Sequence, residues 1–540
     1  MTKKSDILLW LAGAGFLLLL FGFIFLPPIS TDELIYHLPL ASSIFQHKGF
    51  PFSADNIYFY FPQLGESLFS LIYPLFGVLG AKAIHFLCGL AIAAAIYRFS
   101  RKYLAPGQAV LSAVIFLTAP SIMELMTLAY VDLFYTLFTF LAVVSMLKYF
   151  ENGRMRWIFA ISLMVGGAMA TKYTGFQLLI LATIFILIER LIGKRKNFPF
   201  ELVILPVVSI AVVSPYLIRN YFLTGWPFFP FDFGGLPLKP EINWDPERAR
   251  FYLGWLGTFG APIGQESIWH TVLAPILIFI QGKFDDQRYY EGVLGPVFLL
   301  IPFLLYKKKL SREIKLLGLF TILYFYYWAF TTMQVRFLVP ILPVMCVLLG
   351  YGLSQTKSKI IRFVVYGLIA FNCLTGVRAL WAAEPLNFWL GKESREAYLS
   401  RRLGVYFEMY RQTNKIVGPN DKVYLVNTKN YVYYLNCNWT ADFVFERWRL
   451  DKRLKEIEKP EQLFQFFEAN KMTHLLIDEQ FIADPKFGLE VRELAIFQTF
   501  LSKYTDILVQ KGAFVLRRIK TNQYNGVPGF ALTENRAKTS

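Results

Sequence analysis

Long apolar runs, separated by short polar or charged connections, set the pattern of this chain. The first run, Ile7 to Leu26, is uncharged and has about the ~20 apolar residues that a helix needs to cross a bilayer. Only Lys3 and Lys4 precede it as basic residues, and no small-residue cleavage site closes it. It therefore reads as a retained signal-anchor rather than a removed signal peptide. Ten further spans are predicted near residues 80–98, 107–121, 130–149, 156–171, 174–192, 199–218, 292–306, 315–331, 337–354 and 360–380. The runs at 107–121 and 156–171 are short for a full crossing.

The connections alternate in charge. One set holds Arg98, Arg101 and Lys102, then Lys148, Arg154 and Arg156, then Arg190, Lys194, Arg195 and Lys196. It continues with Lys307, Lys308, Lys309, Arg312 and Lys315, then Lys357, Lys359 and Arg362. The positive-inside rule assigns this set, with Lys3 and Lys4, to the cytoplasm. About eleven spans that start inside must end outside.

Three outer segments are neither spans nor simple loops. Residues 28–79 hold an amphipathic piece (Tyr36 to Gln46), the aromatic run Tyr58-Phe59-Tyr60-Phe61, and Leu64 to Phe76, which reads as an interfacial helix. Residues 219–291 open with a Gly/Pro/aromatic loop, Arg219 to Phe231, that turn chemistry explains equally well. From about residue 382 the composition becomes that of a soluble domain. Strands are predicted at Lys422–Val426, Tyr431–Leu435 and Thr473–Ile477, with one or two more within Ile507–Leu516. Helices are predicted at Pro460–Ala469 and Val491–Tyr504. The expected architecture is a polytopic α-helical membrane domain, residues 1–381, followed by a periplasmic α/β domain, residues 382–540, with a polar tail from Thr521.

Composition agrees with the membrane reading: 55% of residues are hydrophobic and 17% charged, with a mean hydropathy of +0.42. The net charge of +17 falls in clusters between apolar runs, a topological pattern rather than a nucleic-acid-binding stripe. Cys88, Cys346 and Cys373 lie in apolar runs and Cys437 stands apart, so no disulfide framework is visible.

Candidate chemistry gathers at the outer ends of the spans. Asp32 and Glu33 follow the first span directly, and acidic residues so near hydrocarbon suggest function; a solvated loop or a helix cap is the plain alternative. Asp132 heads the fourth span, Lys172 follows the fifth, and Arg336 precedes the tenth. Each alone fits snorkelling or a helix-terminal charge. Together they suggest a polar cavity able to bind an anionic head group and activate a hydroxyl. His37, Glu66 and His85 are expected near the same face, and Glu66 with His85 is a candidate divalent-metal pair, although no close ligand spacing supports it.

The string Thr31-Asp32-Glu33-Leu34-Ile35-Tyr36-His37-Leu38-Pro39-Leu40-Ala41 resembles the first outer loop of bacterial GT-C glycosyltransferases, relatives of protein O-mannosyltransferases and lipid A aminoarabinose transferases. Tyr130-Val131-Asp132, Thr171 to Gly175, the Arg219–Pro230 loop and Arg336 to Pro340 follow in the family's order over most of residues 1–355. The resemblance implies a polyprenyl-phosphate-linked sugar donor, inversion at the sugar carbon, and a site facing the periplasm of the inner membrane. It implies Asp32 as catalytic carboxylate with Glu33 beside it, Asp132 as second acid, and Lys172 and Arg336 as donor-phosphate contacts. Arg219 is a further phosphate candidate, and Tyr36 and His37 are substrate-binding candidates. The chain departs from the aminoarabinose-transferase type, whose Lys-Pro-Pro-Leu stretch is here Phe61-Pro62-Gln63-Leu64-Gly65-Glu66. That removes a basic donor contact and argues against lipid A specificity.

The leading expectation is a glycosyltransferase acting on an envelope lipid, polysaccharide or protein acceptor. The chain has neither a Walker A motif nor a Rossmann fingerprint, and a lipid-linked donor needs no nucleotide-binding domain. The main alternative is a transporter or flippase for an anionic lipid-linked sugar, which would carry ionisable or broken-helix sites near mid-membrane. A non-catalytic assembly protein that docks partners through its C-terminal domain is the third.

Overall fold

The computed structural model describes residues 3–47, 49, 56–193, 199–231, 238–239, 242, 244–260, 268–442, 447–485 and 488–520. The basic residues 194–196 and the tail from residue 521 lie outside them. The chain divides into two compact units, Met1–Arg402 and Leu403–Ser540.

The first unit is helical and the protein is a multi-pass membrane protein. Its leading helices are α1 (Lys3–Phe23), α2 (Leu38–His47), α3 (Leu64–Ser100), α4 (Pro106–Leu117), α5 (Pro120–Leu125), α6 (Asp132–Asn152), α7 (Met155–Thr171), α8 (Gly175–Ile192) and α9 (Phe200–Thr224). Among the described residues, six helices are long and apolar enough to span: α3, α6, α8, α9, Val335–Ser354 and Lys359–Trp381. Shorter apolar helices include Leu11–Phe23, α4, α7, Ile268–Gln281 and Pro296–Leu305. Their lipid-facing sides carry exposed residues such as Leu18, Leu71, Phe222, Phe303 and Phe363, as a hydrocarbon solvent allows.

Two local results depart from the hydropathy pattern. Leu64 to Phe76 is not a separate interfacial helix but the first part of α3, which bends at Gly77, where φ is +54°. Glycine tolerates that left-handed geometry because it has no Cβ. The outer segment 219–291 also contains helix Ile268–Gln281, whose 14 residues fall short of the ~20 needed for a crossing.

Between α1 and α2 the backbone forms a π-helical turn, Glu33–His37. Such a turn bonds residues five apart and recurs at functional sites. Here it stacks the Asp32 and His37 positions. Further along the chain, α7 ends with Lys172 in an extended conformation and α8 starts three residues later. A Cβ on Gly175 would lie 2.3 Å from the backbone nitrogen of Met169. Only glycine fits so tight a reversal.

The second unit carries a five-stranded sheet: β1 (Lys422–Val426), β2 (Asn438–Ala441), β3 (His474–Asp478), β4 (Thr505–Lys511) and β5 (Phe514–Ile519), in the order β2-β1-β3-β5-β4. β2, β1 and β3 are parallel, with Val423 opposite His474. β5 is antiparallel to both β3 and β4. Helices Pro460–Ala469 and Val491–Tyr504 bury Phe467, Phe497 and Phe500 against Tyr424, Leu475 and Ile477. The stretch Tyr431–Leu435, read as a strand from its aromatic and β-branched content, forms a short 3-10 turn at Val432–Tyr434 instead. The edge strand begins at Asn438.

Candidate active site

Asp32 lies just ahead of the π-helical turn. Tyr36, on the next turn, donates its hydroxyl to Asp32 Oδ2 at 2.9 Å. The Arg336 guanidinium donates to the same oxygen, forming an ion pair across 304 residues of sequence. Burial raises the Asp32 carboxyl, but Arg336, with help from His37 and Tyr36, holds it below the usual carboxylate range. Arg336 is itself fixed from behind: its Nε donates to Gln334 Oε1 at 3.0 Å, and Gln334 donates to Glu291.

A second ion pair lies beside the first. Lys172 Nζ donates to Asp132 Oδ1 at 2.7 Å. The ring of Phe337 joins the two pairs, with the Lys172 ammonium 4.6 Å and the Arg336 guanidinium 5.6 Å from its centroid. Burial pushes the Lys172 ammonium down, and Asp132 opposes that shift. Asp132 is set by the start of α6, where Leu133 N donates to His85 Nε2 at 3.1 Å. The outer charges expected to converge therefore do so for Asp32, Asp132, Lys172 and Arg336.

The other candidates are placed differently. Glu33 is fully buried and turned into a separate network: its Oε1 accepts from Ala129 N at 2.7 Å and lies 3.7 Å from Lys82 Nζ. Glu66 pairs with His37, not with His85: Glu66 Oε1 is 2.6 Å from His37 Nδ1. His85 Nδ1 lies 2.8 Å and 2.9 Å from the carbonyls of Leu125 and Leu128. With Nε2 accepting from Leu133, both nitrogens serve the backbone and neither is left for a ligand. The expected Glu66/His85 metal pair is corrected accordingly. Among the described residues no group of three or more His, Cys, Asp or Glu side chains is placed to share a metal ion. Arg219 donates to Phe61 O at 3.3 Å and to Asn220 Oδ1, which ties α9 to the aromatic run before α3.

Sequence reasoning missed Lys82, Glu124, Glu291 and Gln334. Lys82 and Glu124 each carried a signal, a charge inside an apolar run. Glu124, on α5, is pushed up to about 8 by burial and by the neighbouring carboxylates of Asp285 and Glu291. Glu291 and Gln334 had no signal, since neither spacing nor hydropathy pairs them.

Several buried polar atoms of this region have no protein partner: His37 Nε2, Glu66 Oε2, Glu33 Oε2 and Asp132 Oδ2. Leaving such groups unpaired costs roughly 1–3 kcal/mol each.

The whole chain can be set against solved structures. ArnT from Cupriavidus metallidurans bound to undecaprenyl phosphate overlays with a TM-score of 0.61, at 13% identity, covering 98% of this chain and 100% of that one. The same protein in its apo state overlays with a TM-score of 0.59, at 12% identity, over 95% of this chain and 98% of that one. The chain has a GT-C fold. The dolichyl-phosphate-mannose-protein mannosyltransferase family matches residues 62–218, the stretch of the GT-C fold that runs from α3 into α9 and contains Asp132 and Lys172. No curated protein matches the sequence.

Proposed function

We propose that this GT-C protein is a glycosyltransferase that moves a sugar from a polyprenyl-phosphate donor to a hydroxyl of an envelope lipid, polysaccharide or protein, with inversion at the sugar carbon. The observation that carries this reading is the meeting of two carboxylate–cation pairs, Asp32 with Arg336 and Asp132 with Lys172. A phosphate monoester leaving group needs fixed cations, and an attacking hydroxyl needs a base beside it. The undecaprenyl phosphate bound to ArnT and the dolichyl-phosphate-mannose of the matching family support a lipid-phosphate donor.

In the proposed reaction the acceptor oxygen attacks the anomeric carbon while its proton passes to the Asp32 carboxylate. The bond from that carbon to the phosphate oxygen breaks, and polyprenyl phosphate leaves with the electron pair. Arg336 and Lys172 exchange part of their pairing with Asp32 and Asp132 for the phosphate as charge grows on it. Tyr36 orients Asp32, His37 lines the substrate side, and Arg219 is a further candidate cation for the phosphate. Glu33 holds the turn through Ala129 and Lys82. The site faces the periplasm of the inner membrane, as does the soluble domain that begins near residue 382.

The test is mass spectrometry of envelope glycolipids and glycans from cells with and without the gene. Loss of one sugar from one class of molecule is expected and would name the acceptor. An unchanged glycan profile, with no transfer by the purified protein from any polyprenyl-phosphate hexose or pentose, would overturn the reading.

A further inference from the structure

The His37–Glu66 pair is not used by the transfer step, and it is the least explained buried group near the site. His37 is 1% and Glu66 3% exposed. Their 2.6 Å hydrogen bond joins the π-helical turn to the first turn of α3. It occupies His37 Nδ1 and Glu66 Oε1 only. His37 Nε2 and Glu66 Oε2 remain without a partner, so one fixed unit offers an imidazole nitrogen and a carboxylate oxygen together. Buried polar atoms are almost always paired with protein, water or ligand.

The surroundings are aromatic. The His37 ring lies 4.1 Å from the ring of Tyr36 and 5.2 Å from that of Tyr130, and Tyr36 stacks on Tyr58 at 4.2 Å. The pair is next to the reacting groups: Tyr36 bonds Asp32, and His37 lies within electrostatic reach of that carboxylate. Aromatic faces with a carboxylate and an imidazole suit a sugar ring, which has apolar C–H faces and hydroxyls that both donate and accept. A phosphate would instead meet the carboxylate unfavourably.

We infer that His37 and Glu66 form the subsite for hydroxyl groups of the donor sugar, with Glu66 Oε2 accepting from one hydroxyl and His37 Nε2 bonding another. This rests on the glycosyltransferase reading of the site. The pair thus selects the sugar, while Arg336 and Lys172 hold the phosphate. Glu66 acts also as a positioning residue that fixes the imidazole tautomer.

The experiment compares binding of bare farnesyl phosphate with farnesyl-phosphate-linked mannose, glucose and galactose to the purified full chain. Wild type should bind at least one sugar-bearing lipid about 10-fold or more tighter than the bare lipid, as bonds to a charged group allow. His37→Ala and Glu66→Gln should each bring that ratio close to one. His37→Asn, which keeps a polar tip, should restore part of it. A ratio near one in wild type for all three sugars, or an unchanged ratio in both variants, would mean that the pair holds only internal water and would overturn the subsite. Failure of wild type to bind bare farnesyl phosphate strikes the donor reading itself, and the subsite falls with it.

Discussion

At the scale of single residues, the environment of Asp32 decides its role. Arg336 and Tyr36 both donate to one oxygen, Oδ2, which keeps the carboxylate ionised and aimed. Asp32→Asn preserves size and removes basicity, so turnover should fall by roughly 10²–10⁴-fold, the usual share of a general base. Single-turnover assays on the purified variant check this; near-normal turnover would remove Asp32 from the proton transfer. Glu124 makes the opposite case. Its carboxyl is raised to about 8, so between the ordinary glutamate range and that value the folded protein keeps a proton that the unfolded chain has lost. Stability should therefore fall as pH rises through this window and level off above it. Glu124→Gln should flatten that slope in thermal unfolding measured from pH 5 to 9. Both acids lie beside apolar runs, yet only Asp32 stood out in the sequence, because its neighbours Glu33 to His37 gave it a recognisable context. Glu124 depends on Asp285 and Glu291, and no local pattern connects them.

At the scale of elements, the site depends on two short connections. The π-helical turn sends Glu33 inward to Ala129 and Lys82 while keeping Asp32, Tyr36 and His37 at the site. The adjacent acids were legible as a pair, but their separation into two networks was not, because it follows from one unusual turn. The α7–α8 reversal is legible only in hindsight: Thr171 to Gly175 carries Lys172, and Gly175 is packed on backbone that cannot yield. Gly175→Ala should lower folded yield sharply and shift Lys172 away from Asp132, losing activity even in the fraction that folds. Size-exclusion yield and specific activity measured together check this, and normal values for both would show that the turn relaxes freely. Arg336→Lys probes the ion pair that the first connection presents. Arg336 bonds Asp32 and Gln334 from different nitrogens, and a single ammonium cannot reproduce that fork. We expect kcat to drop by about 10-fold or more, with a smaller change in KM. Equal kinetics would mean that charge alone suffices there.

At the scale of the whole molecule, the apolar runs gave the GT-C fold its spans, because hydrocarbon thickness limits helix length more strictly than packing does. The soluble domain was legible to the residue in helices Pro460–Ala469 and Val491–Tyr504, which have clear periodicity. It was less so around Tyr431, where local β-propensity lost to a turn. Topology is the remaining claim at this scale. Asp32, Asp132, Lys172 and Arg336 are bonded in pairs that share the Phe337 ring, so the helix ends that carry them must lie on one side of the bilayer. The basic clusters sit at the opposite ends of neighbouring runs, so the positive-inside rule predicts that this shared side is the outer one. Glu291 reinforces the count. Its bond to Gln334 holds the end of the 219–291 segment beside Arg336; the expected topology keeps Ile268–Gln281 on that side and takes the chain back towards Lys307 through the run at 292–306. Five crossings then separate Ile192 from Lys392. Reporter fusions after these two residues should report opposite sides, cytoplasm after Ile192 and periplasm after Lys392. Agreement of the two reporters would require an even number of crossings between them and would overturn this topology. One source is Ile268–Gln281 spanning outright, which would part Glu291 from Gln334 and break the shared site as well as the topology.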